Sequence, residues 1–173
     1  AIEAVEHVVT NQVSTLIDGQ ACYSPVCLPS GGIVDDVIIY RLSATHLFIC
    51  CNASNREKDV AWFQTHTRGF DCEVRDVSDG YAQLALQGPD APRLLVAAFP
   101  TAEGGIAAAP PFHHAPLAVD GHEVLVSTTG YTGEKGFELY LPLPVAESVW
   151  RTLWRAGEAF SLRAIGLGAR DTL

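Results

Sequence analysis

The sequence predicts an α+β protein that is divided near its middle. Strand-like apolar runs alternate along the chain with helix-like runs, no internal repeat relates one part to another, and the turn residues Gly88 and Pro89 interrupt the pattern. Of the 173 residues, 48% are apolar and 18% are charged, a composition typical of a folded protein that buries a core. We therefore expect a first α+β lobe over residues 1–88 and a second, partial α+β lobe over residues 89–173.

The first part of the chain is predicted to form a helix, three strands and a second helix. Apolar residues recur with the spacing of an amphipathic helix from Ile2 to Val9. Ser54 and Asn55 are candidate caps for the second helix, which places Val60 and Phe63 on one face. The strands are expected at residues 21–27, 33–42 and 46–52, the first two joined by the turn Leu-Pro-Ser-Gly-Gly.

Turn and cap residues locate the elements of the remaining chain. One strand or a pair is expected over residues 72–77 and 81–87, followed by a short helix that Asp90 caps. A loop rich in Gly and Pro follows, and Asp120-Gly121 is then a strong signal for a two-residue hairpin turn. A last helix is expected over residues 145–156.

Charge and cysteine content exclude several classes of function. A net charge of -9 disfavours nucleic acid and anionic membranes as main partners. No apolar run has the length of a membrane span, and no His or Cys pairs have metal-ligand spacing, so we expect no membrane partner and no catalytic metal. The five irregularly spaced cysteines fit a reducing compartment. The chain contains no Met, which suggests a segment of a longer protein.

Two adjacent carboxylates, Asp35 and Asp36, stand in the middle of an apolar predicted strand. A carboxylate in apolar surroundings is costly unless it is paired or hydrogen-bonded. Neighbouring strand residues point to opposite faces, so Asp36 shares a face with Ile38 and Tyr40, whereas Asp35 shares one with Arg41. Arg41 favours solvent on its own face, so we expect Asp36 to point into an interior or a pocket.

Taken singly, each candidate site residue also has an ordinary structural explanation. Asp36 could cap a bulge, Glu138 could face water, and Arg170 could be an ion-pair partner. Tyr131 stands in a Gly-rich turn, where an aromatic residue often covers the edge of a core.

Five segments in order nevertheless resemble one known family. YSPVCLPSGGIVDDVIIYRL, CNASNREKD, LALQGPDA, TGYTGEKGFEL and GLGARDTL are similar to the T-proteins of the glycine cleavage system, which are folate-dependent aminomethyltransferases. The resemblance implies two mixed α/β lobes of the T-protein folate-binding type, without the first portion of the N-terminal lobe and without the C-terminal barrel domain. Lys135 stands where an acidic residue is usual, and the turn Leu-Pro-Ser-Gly-Gly replaces a more polar one.

The resemblance also implies a reaction of glycine catabolism and one-carbon metabolism. Such proteins take the aminomethyl group from the dihydrolipoyl arm of H-protein, pass its carbon to tetrahydrofolate and release ammonia, in the bacterial cytoplasm or the mitochondrial matrix. By the family pattern, Asp36 would be the catalytic carboxylate at the reacting nitrogen, Glu138 would hydrogen-bond the pterin, and Arg170 would contact substrate. The positions that would line the folate pocket are Tyr23, Ile38, Tyr40, Asn52 and Tyr131.

These implied roles agree with the chemistry of the side chains. A carboxylate accepts forked, charge-assisted hydrogen bonds from the amino and N–H groups of a pterin, and aromatic rings offer flat apolar walls. A fixed carboxylate stabilises the cationic, iminium-like state of the transferred carbon and can manage the proton of the attacking amine.

Three other interpretations stay open at the level of sequence. The chain could be the folate-binding domain of a dimethylglycine or sarcosine dehydrogenase, in which a flavin domain delivers the carbon. It could be a non-catalytic folate-binding accessory protein of iron–sulfur assembly, although the Lys-Gly-Cys-Tyr signature of that class is missing. It could also be a truncated paralogue without activity.

Overall fold

The computed structural model describes residues 1–170 and 172, except for the side chains of Leu167 and Arg170. The chain divides into two units, Ala1–Val77 and Ser78–Leu173. The sequence placed the break near Gly88. The structure places it earlier because strand β4 (Tyr81–Gln87) pairs with the sheet of the second unit along its whole length.

The first unit contains a three-stranded antiparallel sheet and two helices. The strands have the order β1 (Ala21–Cys27), β2 (Ile33–Ser43) and β3 (His46–Cys50). Helix α1 (Ile2–Val8) precedes the sheet, and helix α2 (Arg56–His66) follows it. The core contains valines of α1 and residues of β1, β2 and α2, among them Val5, Val8, Val26, Val37, Ile39 and Phe63.

The predicted elements of the first unit are confirmed with small shifts at their ends. Strand β3 ends at Cys50, and α2 begins at Arg56 after a short 3₁₀ turn. Residues 72–77, all of which are described, have no regular secondary structure, so the strand expected there is wrong. Arg56 donates to Asp76 at 2.7 Å, which anchors this segment to α2 by an ion pair.

The second unit contains a four-stranded antiparallel sheet of order β4-β7-β6-β5. Its other elements are helix α3 (Ala91–Ala98), strands β5 (His114–Val119), β6 (His122–Ser127) and β7 (Gly136–Pro142), helix α4 (Leu143–Gly157) and the short helix α5 (Leu167–Arg170). One apolar core joins α3, α4 and the sheet, and its fully buried members include Leu95, Val124, Val126, Leu139, Leu141 and Val149.

Turn chemistry accounts for the hairpin between β5 and β6. Asp120 and Gly121 have φ values of 48° and 78°, the left-handed conformations that a tight hairpin turn requires. The prediction from Asp120-Gly121 is therefore confirmed. Asp90 lies at the N-cap position of α3 as expected, but it makes no side-chain cap hydrogen bond and instead pairs with Arg93 at 2.8 Å.

No helix in the described part of the chain is long and apolar enough to span a membrane.

Candidate functional site

Asp36 lies half-buried on β2, on the face that it shares with Ile38 and Tyr40. Strand β1 supplies Tyr23, which pairs with Ile38 and is therefore the diagonal neighbour of Asp36. The Tyr23 side chain is 44% exposed, and its hydroxyl hydrogen-bonds the Asp36 carboxylate. Burial, followed by the charge of Asp36 and this hydrogen bond, raises the pKa of Tyr23 above its ordinary value. The result is an accessible carboxylate with a tyrosine hydroxyl and an exposed aromatic ring beside it.

Asn52 connects the two adjacent carboxylates of β2. Its Nδ2 lies 3.0 Å from Asp35 Oδ1 and 3.0 Å from Asp36 Oδ1. An amide nitrogen carries two hydrogens, so it can donate one to each carboxylate. Asn52 therefore fixes the orientation of the Asp36 carboxylate relative to its neighbour.

The expectation that Asp35 faces solvent is wrong, since Asp35 is only 6% exposed. Its face of β2 carries Val37 and Ile39, which belong to the core of the first unit. Arg41 shares that face but lies near the strand end, where its guanidinium donates to Asp18 at 2.9 Å and to the Leu16 carbonyl at 2.5 Å. The charge of Arg41 is therefore satisfied locally, and it does not indicate solvent along the rest of the face.

Asp59 is the second buried carboxyl group of this region. It lies in the first turn of α2, one turn before Phe63 of the core, and is 4% exposed. The Asp59 carboxyl group is hydrogen-bonded to that of Asp35. Burial disfavours ionisation of Asp35, but hydrogen bonds from Asp59 and Asn52 outweigh it and lower its pKa to about 2. Burial, the hydrogen bond to Asp35 and the charge of Asp35 raise the pKa of Asp59 to about 7.

Ile38 and Tyr40, two of the expected pocket residues, are buried at 8% and 0% exposure. The Tyr40 ring packs against Phe48 of β3, with ring centroids 6.0 Å apart. In the first unit the structure thus places Tyr23 and Asn52 in contact with the Asp36 carboxylate. Ile38 and Tyr40 follow Asp36 on the same face of β2.

Glu138 is the buried carboxylate of the second unit. It lies on the inner strand β7, opposite Ala85 of β4 and Ser127 of β6, and is 4% exposed, so the interpretation that it faces water is wrong. Gln83 Nε2 donates to Oε1 at 2.9 Å, and the Thr129 hydroxyl donates to Oε2. Burial raises the pKa of Glu138, against the lowering effect of these two hydrogen bonds.

We expect this burial to make stability depend on pH through Glu138. The pKa of Glu138 is higher in the folded chain than in the unfolded chain, which loses the proton near pH 4.5. Between these two pKa values the folded chain binds more protons, so the free energy of unfolding falls as the pH rises from the unfolded pKa through the folded one. Glu138→Gln has no proton to lose. Its stability relative to wild type should therefore increase with pH, by about 1.4 kcal/mol for each unit by which the pKa is raised. Urea denaturation at a series of pH values measures the difference.

The matched control for this measurement is Glu134→Gln, since Glu134 is exposed in the neighbouring turn. Its stability relative to wild type should stay constant over the same pH range. If the stability of Glu138→Gln relative to wild type were also independent of pH, the raised pKa of the buried Glu138 would be contradicted.

Tyr131 is 53% exposed in the turn between β6 and β7, and the Gln87 side chain is hydrogen-bonded to the backbone on both sides of that turn. Gln87 Nε2 donates to the carbonyls of Thr129 at 3.3 Å and Phe137 at 3.1 Å. A Cβ atom added at Gly130 or at Gly136 would lie 2.1 Å or 2.3 Å from Gln87 Oε1. A side chain at either glycine would therefore displace the end of Gln87 and break its two hydrogen bonds to the turn.

Arg170, the remaining predicted site residue, lies in α5, and its side chain is outside the described residues. Sequence reasoning missed Asp59, Gln83, Gln87 and Thr129. The signal for Asp59 was its helical spacing to Phe63, which places an acidic residue on a core-facing side; the polar residues Gln83 and Gln87 alternate with Leu84 and Leu86 on one strand. Among the described residues, no group of three or more His, Cys, Asp or Glu side chains could hold a metal ion.

Comparison with known proteins gives consistent results over the whole chain. The family model described as the GCVT N-terminal domain matches residues 1–173. Across its full length, the chain is 44% identical to a protein of Chlorobium chlorochromatii named aminomethyltransferase and 48% identical to one of Rubrobacter xylanophilus with the same name. It covers 47% and 44% of these two proteins, so it spans less than half the length of the relatives that it matches.

A solved structure has the same fold. The glycine cleavage system aminomethyltransferase T of Bartonella henselae superposes with a TM-score of 0.86 at 30% sequence identity. The match covers 99% of this chain and 44% of that one.

Proposed function

Because the chain belongs to the GCVT N-terminal domain family, we propose that it is part of a tetrahydrofolate-dependent aminomethyltransferase of the glycine cleavage system. The proposed reaction moves the methylene carbon from aminomethyl-dihydrolipoyl H-protein to tetrahydrofolate and releases ammonia. The names of the relatives support the transferase class. The hydrogen bonds of Asn52 and Tyr23 to Asp36 support a role for that carboxylate. The activity is assigned to the complete gene product that carries this chain.

The single observation that carries the proposal is the half-buried Asp36 carboxylate with its two neutral donors. Asn52 and Tyr23 hold the carboxylate in place through neutral donors, which leave its negative charge intact. A carboxylate fixed in this way stabilises positive charge that develops on a transferring carbon, because it needs no reorganisation at the moment of reaction. It can also accept the proton of an attacking amine.

Tetrahydrofolate supplies the amine nitrogens that accept the carbon, and the exposed groups of the first unit fit such a molecule. Tyr23 presents an accessible ring beside Asp36, which suits the flat apolar surface of a pterin. In the second unit, we propose that the exposed Tyr131 contributes another aromatic surface and that Glu138 accepts from pterin N–H groups. Gln83 donates to Oε1 and Thr129 to Oε2, and a carboxylate oxygen has lone pairs for more than one hydrogen bond.

The remaining family roles are proposed on the resemblance alone. These are a lining role for Ile38 and Tyr40, a substrate contact for Arg170, and the lipoylated H-protein as the protein partner.

The test is a transfer assay with the complete gene product. Incubation with aminomethylated, lipoylated H-protein and tetrahydrofolate should form methylenetetrahydrofolate and ammonia in equal amounts. Methylenetetrahydrofolate formed only from formaldehyde or from an oxidised methylamine would favour the dehydrogenase alternative. Folate binding without transfer would favour an accessory protein or an inactive paralogue.

Tyr23→Leu should weaken tetrahydrofolate binding by about 2- to 10-fold, because an aromatic contact contributes about 0.5–1.5 kcal/mol beyond the area that it buries. Equilibrium titration of the complete gene product measures the effect. Tyr81→Leu is the matched control, since Tyr81 is similarly exposed, at 40% against 44% for Tyr23, and has no proposed role. Equal losses of affinity in the two variants would remove Tyr23 from the site.

A further inference from the structure

Two buried carboxyl oxygens near Asp36 have no ordinary donor. Asp35 Oδ2 and Asp59 Oδ2 are both inaccessible to solvent, and no N–H or O–H of another residue reaches them. Buried polar atoms are almost always paired, and two ionised carboxylates cannot hydrogen-bond each other. Since the two carboxyl groups are nevertheless in hydrogen-bonding contact, one proton shared between them supplies the donor that this buried pair lacks.

The surrounding donors determine which carboxyl group holds the proton. Asp35 Oδ1 accepts from Asn52 at 3.0 Å, a bond that favours its ionised form. The cation beside Asp59 is Lys58, whose Nζ lies 3.8 Å from Asp59 Oδ1, beyond hydrogen-bonding distance, on a side chain that is 48% exposed. The proton therefore resides mainly on Asp59, which donates it to Asp35.

Other charged groups around the pair do not replace this proton. Lys58 directs its ammonium to the Val34 carbonyl at 2.5 Å, and Asp76 is paired with Arg56. Asp36 adds a second negative charge next to Asp35 and favours the protonated form of Asp59. Burial raises the pKa of the half-buried Cys51 thiol, so this thiol supplies no positive charge to the pair and no proton that ionises more readily. The balance of charge thus favours a retained proton.

We propose that Asp59 and Asp35 form a carboxylic acid–carboxylate pair that positions Asp36, a role that rests on the proposed function. A chain of hydrogen bonds connects α2 with Asp36. Asp59 donates to Asp35, Asp35 accepts one hydrogen of Asn52, and Asn52 donates its other hydrogen to Asp36. Asp59 is a positioning residue because it acts on Asp36 only through these two side chains. Loss of its proton would leave two like charges in contact and would disturb Asn52.

The experiment compares two variants of Asp59 in the complete gene product. Asp59→Asn keeps a donor toward Asp35 at every pH, whereas Asp59→Ala removes the donor. Transfer by wild type should decline on the alkaline side, near pH 7, as the pair loses its proton. Asp59→Asn should lose this decline and transfer normally at lower pH, and Asp59→Ala should transfer roughly 10- to 100-fold more slowly at every pH because Asp36 is misplaced. Asp71→Asn, an exposed change in the same unit, should leave the profile unaltered.

An infrared measurement detects the proton without any transfer. Below pH 7, the difference spectrum of wild type minus Asp59→Asn should show the C=O band of a buried carboxylic acid that shifts in heavy water, and the subtraction removes any contribution of Glu138. Absence of this band in wild type would overturn the shared proton. Presence of the band together with an unchanged alkaline decline in Asp59→Asn would overturn the positioning role alone. A wild-type protein that shows the band but transfers nothing would overturn the proposed function and, with it, the positioning role.

Discussion

Asp36→Asn should lower the rate of methylenetetrahydrofolate formation by roughly 100- to 10,000-fold, the range expected for loss of a positioned acid–base group. The substitution keeps the shape of the side chain and an acceptor for Asn52, but it removes the negative charge. Tetrahydrofolate affinity should change far less, because the exposed Tyr23 ring, the proposed aromatic contact beside Asp36, stays in place. Steady-state transfer and equilibrium binding with the complete gene product measure the two effects separately.

Asp71→Asn is the control for the Asp36 experiment, and Asp35→Asn is unsuitable because Asp35 is itself buried and bonded to Asn52. Normal transfer by Asp36→Asn would show that the carboxylate is structural and would remove the proposed mechanism. An equal fall in rate and in affinity would mean that Asp36 only binds the acceptor.

Ile39→Ala should destabilise the first unit by about 2–5 kcal/mol, the usual cost of deleting a large aliphatic side chain from a packed core. Ile39 is 0% exposed on the middle strand, in the same core cluster as Val37 and Phe63. The cost includes the cavity that the surrounding side chains fail to fill. Urea denaturation of the chain gives the free energy of unfolding.

Ile33→Ala is the matched control on the same strand, since Ile33 is 70% exposed. It removes the same atoms from a position that is already in contact with water, so its effect should stay within about 0.5 kcal/mol. Equal losses in the two variants would contradict the core described around β2.

The strands and helices of the first unit could be predicted because their patterns are local. Helical spacing from Ile2 onward and the long apolar run of β2 identify α1 and β2 without knowledge of their partners. The orientation of β2 could not be predicted in the same way, since both of its faces are apolar and Arg41 was the only residue that distinguished them. Arg41 misled because its partners, Asp18 and the Leu16 carbonyl, lie elsewhere in the sequence.

The candidate site could be predicted only in part, because some of its residues have a local signal and others are defined by distant contacts. Asp36 stood out as a carboxylate in an apolar strand, and Asn52 and Tyr23 followed from the family resemblance. The spacing of Asp59 to Phe63 could have placed Asp59 on the buried side of α2, but its contact with Asp35, more than twenty positions earlier in the sequence, is contained in no local pattern.

The hydrogen bonds of Gln87 to the Tyr131 turn influence the order in which substitutions can accumulate in this segment. A side chain at Gly130 or Gly136 would have to displace the flexible end of Gln87, whereas Gly133 is favoured by its own positive φ of 71° and has open space around it. A shorter side chain at position 87 would release the first two glycines but not the third. Substitutions at 130 and 136 are therefore epistatic to the residue at 87: with Gln87 present they cost its two hydrogen bonds to the turn, and once Gln87 has been replaced that cost no longer applies.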